Sequence, residues 1–252
     1  MSIVESPGVL LRKTELRETS LILDFYTRES GRVRGVIKGV RSPQPQFGAL
    51  FEIFSLDRVT YYERRNRDIY IISQCELVDY FPEIRKDLEK LGYASYFVEL
   101  IGRTCETGER NDAIYDLLVG SLKALSGGGS VKRITRVFEI KLLKALGIMP
   151  RIRHCINCDS VDDSGRARFS VRGGGVLCGG CLDADKDARP ILPGTVNFID
   201  SVAEMPLDRV SRVKVSSLVG MEVEKLMRVF LDFYVQNRFK SVEFLKNVGV
   251  LL

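Results

Sequence analysis

Histidine is almost absent: His154 is the only one in 252 residues. Most acid–base, nucleophilic and catalytic-zinc sites need at least one imidazole and many need several, so an HExxH metalloprotease helix is excluded and most such chemistry is starved of ligands. No Gly-Lys pair occurs either, which excludes the GxxxxGKS/T phosphate loop and nucleotide hydrolysis through it. No run reaches the ~18 uncharged apolar residues of a membrane span. The opening MSIVESPGVLLRK has no basic segment leading into an apolar one, so neither a membrane helix nor a secretory signal is expected.

Hydrophobic residues make up 45% and charged residues 28%, the balance of a core-forming, soluble chain rather than a disordered one. The length suits about two domains. A net charge of +5 says little by itself, but its distribution says more. Between Val131 and Arg153 stand Lys132, Arg133, Arg136, Lys141, Lys144, Arg151 and Arg153 against Glu139 alone, a local +6.

Residues 8–80 read as strands. Leu21, Leu23 and Phe25 alternate within Ser20–Thr27, Glu29 to Gly31 supplies a turn, and Arg32–Val40 returns. Leu50–Tyr62 and Ile69–Val78 are β-branched and aromatic runs joined by a polar stretch, and Gly8–Thr14 precedes them all. Five strands in about eighty residues without a long helix predict a small closed barrel of the OB type, with an SH3-like barrel as the competitor.

From Pro82 the period becomes helical. Ile84, Leu88, Leu91, Ser95 and Val98 recur at three- and four-residue spacing; Asn111 or Asp112 caps a helix to Leu125 that stops at Gly127; a third runs from Val131 to Leu146. Arg133, Arg136 and Lys144 share one face of that third helix, a stripe suited to DNA or an acidic peptide, or simply to water. Leu218–Tyr234 is again amphipathic. The expected architecture is α+β and multidomain: a five-stranded OB-fold barrel at 1–80, an all-helical domain at 81–150 and 183–252, and an inserted four-cysteine zinc module at 151–182.

Cys155-x2-Cys158 and, after nineteen intervening residues, Cys178-x2-Cys181 have the spacing of a two-knuckle structural zinc site. Two disulfides or a redox use are the alternatives. Four thiolates leave no open position for activating water, and Arg151, Arg153, Arg168 and Arg172 would balance their charge. His154 beside a filled knuckle reads as a surface residue, and Cys75 and Cys105 as small core residues. The acidic groups Asp162, Asp163, Asp183, Asp185 and Asp187 lie in loop-like sequence where solvated turns are the default. Tyr61 and Tyr62 beside Arg64, Arg65 and Arg67 suggest a base-stacking platform with phosphate contacts, although strand alternation must bury one tyrosine.

Several segments match a known pattern in order and spacing. They are Tyr26-Thr-Arg-Glu-Ser-Gly31 with Val36-Ile-Lys-Gly-Val-Arg41, Tyr61-Tyr-Glu-Arg-Arg65, Leu77-Val-Asp-Tyr80, Leu146-Gly-Ile-Met-Pro150 leading to Cys155, Gly174-Gly-Val-Leu-Cys178, and Arg238-Phe-Lys-Ser241 with Phe244-Leu245. Through them the chain resembles, along nearly its whole length, the RecO family of bacterial DNA repair and recombination mediators. That resemblance implies an OB-fold, a helical domain and a zinc module, and a non-enzymatic cytoplasmic, nucleoid-associated protein that binds single- and double-stranded DNA and anneals complementary strands. It also implies RecR and the acidic tail of SSB as partners, RecA indirectly, and neither membrane nor small-molecule substrate. Lys38 and Arg41 stand where the family places DNA-contacting residues; Arg32, Arg34, Arg64, Arg65, Arg133 and Arg136 extend that set. Asp159 departs from the glycine usual after the first knuckle. An RNA-binding OB-fold protein with a zinc knuckle is the alternative, and a zinc nuclease or deaminase would need an open metal position that the sequence does not offer.

Overall fold

The computed structural model describes residues 2–16, 19–40, 51–63, 69–161, 165–207, 209, 215–235 and 239–250. Contacts divide the chain into two compact units, residues 1–131 with 239–252, and residues 132–238. The helices expected within 81–150 and 183–252 are thus shared between the two.

The first unit contains a closed barrel of β1 (Ser2–Leu16), β2 (Ser20–Thr27), β3 (Gly31–Ile37), β4 (Leu56–Glu63) and β5 (Tyr70–Asp79) in the order β1-β2-β3-β5-β4. β1 begins at Ser2, not Gly8, because it is long enough to pair with β2 through its second half and with β4 through its first, Ser2 opposite Glu63. All neighbours are antiparallel except β3 and β5. That closure is the OB arrangement, and it leaves the sheet no free edge. Leu10, Leu23, Phe25, Val33, Ile37, Val59, Tyr61 and Ile72 fill the interior. Gly35 lies where β3 meets β5, and a Cβ there would come within 2.6 Å of the Ile72 side chain. Only glycine lets the barrel close at that point.

Asp57 on β4 is fully buried, its Oδ2 accepting a 2.6 Å hydrogen bond from Ser55 Oγ. Burial pushes its carboxyl up to about 6, against the smaller opposing pulls of Ser55 and Arg85. The folded state therefore binds this proton more tightly than the unfolded chain, so stability falls as pH rises from about 4 to about 6 and stays reduced above that. Asp57→Asn should remove a cost on the order of 2–3 kcal/mol at pH 7 and flatten that pH dependence. Urea unfolding at pH 4.5 and pH 7 measures both; an unchanged pH dependence in the variant would show the carboxylate to be solvated.

After the barrel, Pro82 opens a short helix α1 (Pro82–Arg85), and Asp87 starts a second, α2 (Leu88–Thr104), by accepting from the amides of Glu89 and Lys90 at 2.9 and 3.1 Å. The sequence pattern reads as one helix here; the Asp87 cap makes it two. α3 (Asp112–Ser126) is capped by Asn111 Oδ1 on the Ile114 amide and ends at Gly127. The last helix, α7 (Lys240–Asn247), returns to α2. There Glu99 accepts from Ser241 Oγ (2.6 Å) and from the amides of Ser241 and Lys240 (2.9 and 3.0 Å), while Arg103 holds its other side. Burial pushes that carboxyl up, but the donors outweigh it and hold it below the usual glutamate range.

The second unit contains α4 (Val131–Ala145), a small sheet of β6 (Arg168–Ser170), β7 (Gly175–Leu177) and β8 (Arg189–Pro190) in the order β7-β6-β8, then α5 (Pro193–Glu204) and α6 (Ser217–Val235). Among the described residues no helix is long and apolar enough to cross a membrane.

Candidate metal centre and nucleic-acid interface

The two cysteine pairs meet because the segment before the first knuckle runs beside β7. Arg151 N–H donates to Gly174 O, Val176 N–H to Arg151 O and Ile156 N–H to Val176 O, each at 2.9 Å. A Cβ at Gly175 would lie 2.5 Å from Arg151 O, so this approach requires glycine. Each knuckle is a tight turn: Asp159 N–H donates to Cys155 O and Cys181 N–H to Cys178 O, both at 3.0 Å. The Sγ atoms of Cys155, Cys158, Cys178 and Cys181 all lie within 4.8 Å of one another. A tetrahedral four-thiolate centre with bonds of ~2.3 Å places its sulfurs about 3.8 Å apart, and Cys158 and Cys178 stand at 3.7 Å. Asn157 Nδ2 lies 3.3 Å from Cys181 Sγ and Ser160 Oγ 3.0 Å from Cys158 Sγ, contacts suited to thiolate sulfur. These four residues can hold a metal ion.

Asp159 takes a left-handed φ of +65°, which a glycine would adopt without strain. Its carboxylate instead meets the Arg151 guanidinium, and its carbonyl the His154 ring at 3.1 Å. His154 is at the surface and outside the thiolate set. Arg153 forks onto Asp200 of α5.

On the barrel, Lys38 is exposed just beyond β3, with no ion-pair partner among the described residues. Arg32 is half-buried and forked onto Asp24, Nε to Oδ1 at 3.0 Å and Nη2 to Oδ2 at 2.7 Å, and it donates to Cys105 O at 3.2 Å. The Asp24 hydrogen bond raises its pKa further. Arg34 reaches the same carboxylate only at 3.5 Å and remains partly exposed. Arg41, Arg64 and Arg65 lie outside the described residues. Tyr61 is in the core, stacked on Tyr70 with ring centres 5.6 Å apart, and Tyr62 faces outward. Asp24, which organises the arginines, was absent from the sequence reading; its signal was an acid between Leu23 and Phe25, on the outer face of a strand whose neighbour bears Arg32 and Arg34.

The basic stripe of α4 is the main correction. Arg136 is buried, not exposed, 2.9 Å from Glu139 one turn on, and its guanidinium donates to Glu224 O at 3.4 Å. Lys141 and Lys144 donate to Met205 O and Ala203 O, and Lys144 pairs with Glu204 at 2.8 Å. The stripe thus satisfies the orphan carbonyls at the end of α5, where cations are favoured. Arg133 is half-buried and has contacts of its own.

Residues 1–81 match the family model described as Recombination protein O N terminal, and residues 85–243 the one described as Recombination protein O C terminal. The chain belongs to the RecO family of DNA repair proteins. A relative named DNA repair protein RecO from Pelotomaculum thermopropionicum is 30% identical over 249 residues, covering 99% of this chain and 96% of that protein. One of the same name from Anaeromyxobacter dehalogenans is 29% identical over 252 residues, covering 100% and 99%. The two RecO matches meet where the barrel gives way to α1, and the second spans the helices and the cysteine module.

Proposed function

We infer that this protein is a non-enzymatic recombination mediator that binds single- and double-stranded DNA and anneals complementary strands. With RecR it helps load RecA on DNA coated by SSB, whose acidic tail it engages, in the cytoplasm at the nucleoid. The observation that carries this reading is a closed OB barrel in a RecO-family chain with basic side chains on its outer surface. Each lysine or arginine that neutralises a phosphate releases a counterion, giving sequence-independent affinity that falls with salt. Annealing needs only two strands held close with their charge screened, which requires no catalytic residue. Lys38 and Arg41 are the leading phosphate contacts in this reading, with Arg32, Arg34, Arg64, Arg65 and Arg133 around them; Arg136 is withdrawn. The ion for the four thiolates is zinc, whose tetrahedral preference suits a set of four cysteines; all four positions are filled, so it stabilises the fold and activates nothing.

The test is annealing of complementary strands precoated with the cognate SSB, without nucleotide, as protein is added. Acceleration is expected. Lys38→Ala with Arg41→Ala should lower affinity and reduce the slope of log K against log salt by about 0.7 for each lost single-strand contact. No acceleration by folded, metal-loaded protein, with tighter binding of structured RNA, would favour an RNA-binding role.

A further inference from the structure

Helix α6 is apolar on two sides. One side carries Val223, Met227, Phe230 and Leu231, all buried, with Phe230 edge-on to Phe169 at 6.0 Å between ring centres. Two further bonds fix α6 within its unit: Glu222 accepts from the Leu192 amide at 3.0 Å, and Glu224 O accepts from Arg136 at 3.4 Å. A globular helix ordinarily turns charged and polar residues to the water on its far side. At 100° per residue the far side of α6, about 180° from the buried set, is instead a stripe of Leu218, Met221, Lys225, Val229, Asp232 and Phe233. Leu218 is 58%, Met221 54% and Phe233 47% exposed, and Val229 is exposed as well. Four apolar side chains in line on one exposed helix face mark a contact surface.

The charges in the stripe select its occupant. It holds one cation and one anion, Lys225 and Asp232, both exposed and neither with an ion-pair partner among the described residues. The net charge is zero, so the stripe offers no excess for phosphates to neutralise. Lys225 and Asp232 stand two helical turns apart, about 10.5 Å, with Val229 between them. That spacing is complementary to itself. Two copies of α6 laid antiparallel about a two-fold axis beside Val229 bring each Lys225 to the other copy's Asp232. The same register sets each Phe233 between the other copy's Met221 and Lys225. Parallel pairing would set lysine on lysine.

We propose that this stripe docks a second copy of the chain, forming a two-fold dimer through antiparallel α6 helices. The interface is isologous, so the same patch serves on both copies and the assembly closes at two. The stripe spans ~22 Å of helix, which puts the contact at the small end of specific interfaces, below about 1,200 Å² in total. The dimer is therefore weak, with a Kd on the order of 10 µM. Its use rests on the annealing reading above: each copy brings one strand, and joining the copies raises the effective concentration of one strand at the other.

The test is sedimentation velocity of the full chain without DNA, over concentrations from about 1 to 100 µM, a range that brackets the expected Kd. The wild type should pass from monomer to dimer. Lys225→Asp and Asp232→Lys, each of which sets like charges against each other across the axis, should both stay monomeric. An equimolar mixture of the two variants should dimerise again, as should the double variant carrying both substitutions, because each restores one cation opposite one anion. Both positions are exposed, so the variants keep the buried side of α6 intact, and circular dichroism checks that they fold. A wild type that stays monomeric throughout, single variants that still dimerise, or a mixture that does not recover overturns the dimer. Annealing of bare complementary strands is measured separately. Both single variants should anneal at least tenfold more slowly at unchanged single-strand affinity, and their mixture should recover. Normal annealing by monomeric variants overturns the role of the dimer, whereas a dimeric wild type that anneals nothing overturns the annealing reading alone.

Discussion

Cys178→Ser should release the metal and unfold residues 151–190 while the barrel survives. Among the described residues the buried apolar side chains of this module are few, Ile152, Phe169, Val176, Leu177 and Ala188 with Cys155 and Cys178, and the last two are themselves ligands. Burying a leucine contributes about 2–3 kcal/mol, against an ordering cost of about 1–2 kcal/mol for each backbone residue fixed. Apolar burial therefore cannot hold about forty residues in place, whereas structural zinc contributes on the order of 10 kcal/mol or more in comparable small sites. Zinc content by atomic absorption, one per chain in the wild type and none in the variant, reports the loss directly. Limited proteolysis should then cut within the module and spare the barrel strands β1 to β5. A variant that keeps one equivalent of zinc and resists protease would show that three thiolates suffice.

Arg136→Ala should cost about 3–5 kcal/mol, because it leaves Glu139 charged and without its partner inside the protein. The two side chains are 7% and 2% exposed. Replacing both, Arg136→Met with Glu139→Leu, should restore most of that loss, since an apolar pair of similar volume avoids desolvating two ions. Urea unfolding of the two single variants and the double variant closes the cycle. A loss below 1 kcal/mol in Arg136→Ala would place the guanidinium in water and return it to the candidate DNA contacts.

The barrel was legible because its strands alternate with period two and each bears one inward apolar set. The metal centre was legible because two Cys-x2-Cys knuckles need little context. Asp159 stands where glycine is usual after the first knuckle, and the structure gives it the left-handed backbone that glycine would adopt there. What sequence periodicity could not supply was pairing between distant elements. The first half of β1, with Glu5, Ser6 and Pro7, has weak strand propensity and is held by β4, whose partners lie more than fifty residues on. Arg136 lay on a basic face by helical geometry, yet it is buried by contact with α6, with the i, i+3 spacing to Glu139 as the only local hint.

The hydrogen bonds from Ser241 to Glu99 join residues 142 positions apart, with the whole of residues 132–238 between them. A ribosome adding about 5–20 residues per second needs on the order of 10 s to bridge that gap. By the end of this interval residues 132–238 have all been synthesised, whereas the first unit still lacks its last helix and α2 keeps an apolar groove open. The barrel strands, all within residues 2–79, are thus made first, the inserted unit next, and the packing of α7 on α2 comes last. A nascent or truncated chain ending before Lys240 would carry that uncovered groove, a natural mark for chaperones and proteases.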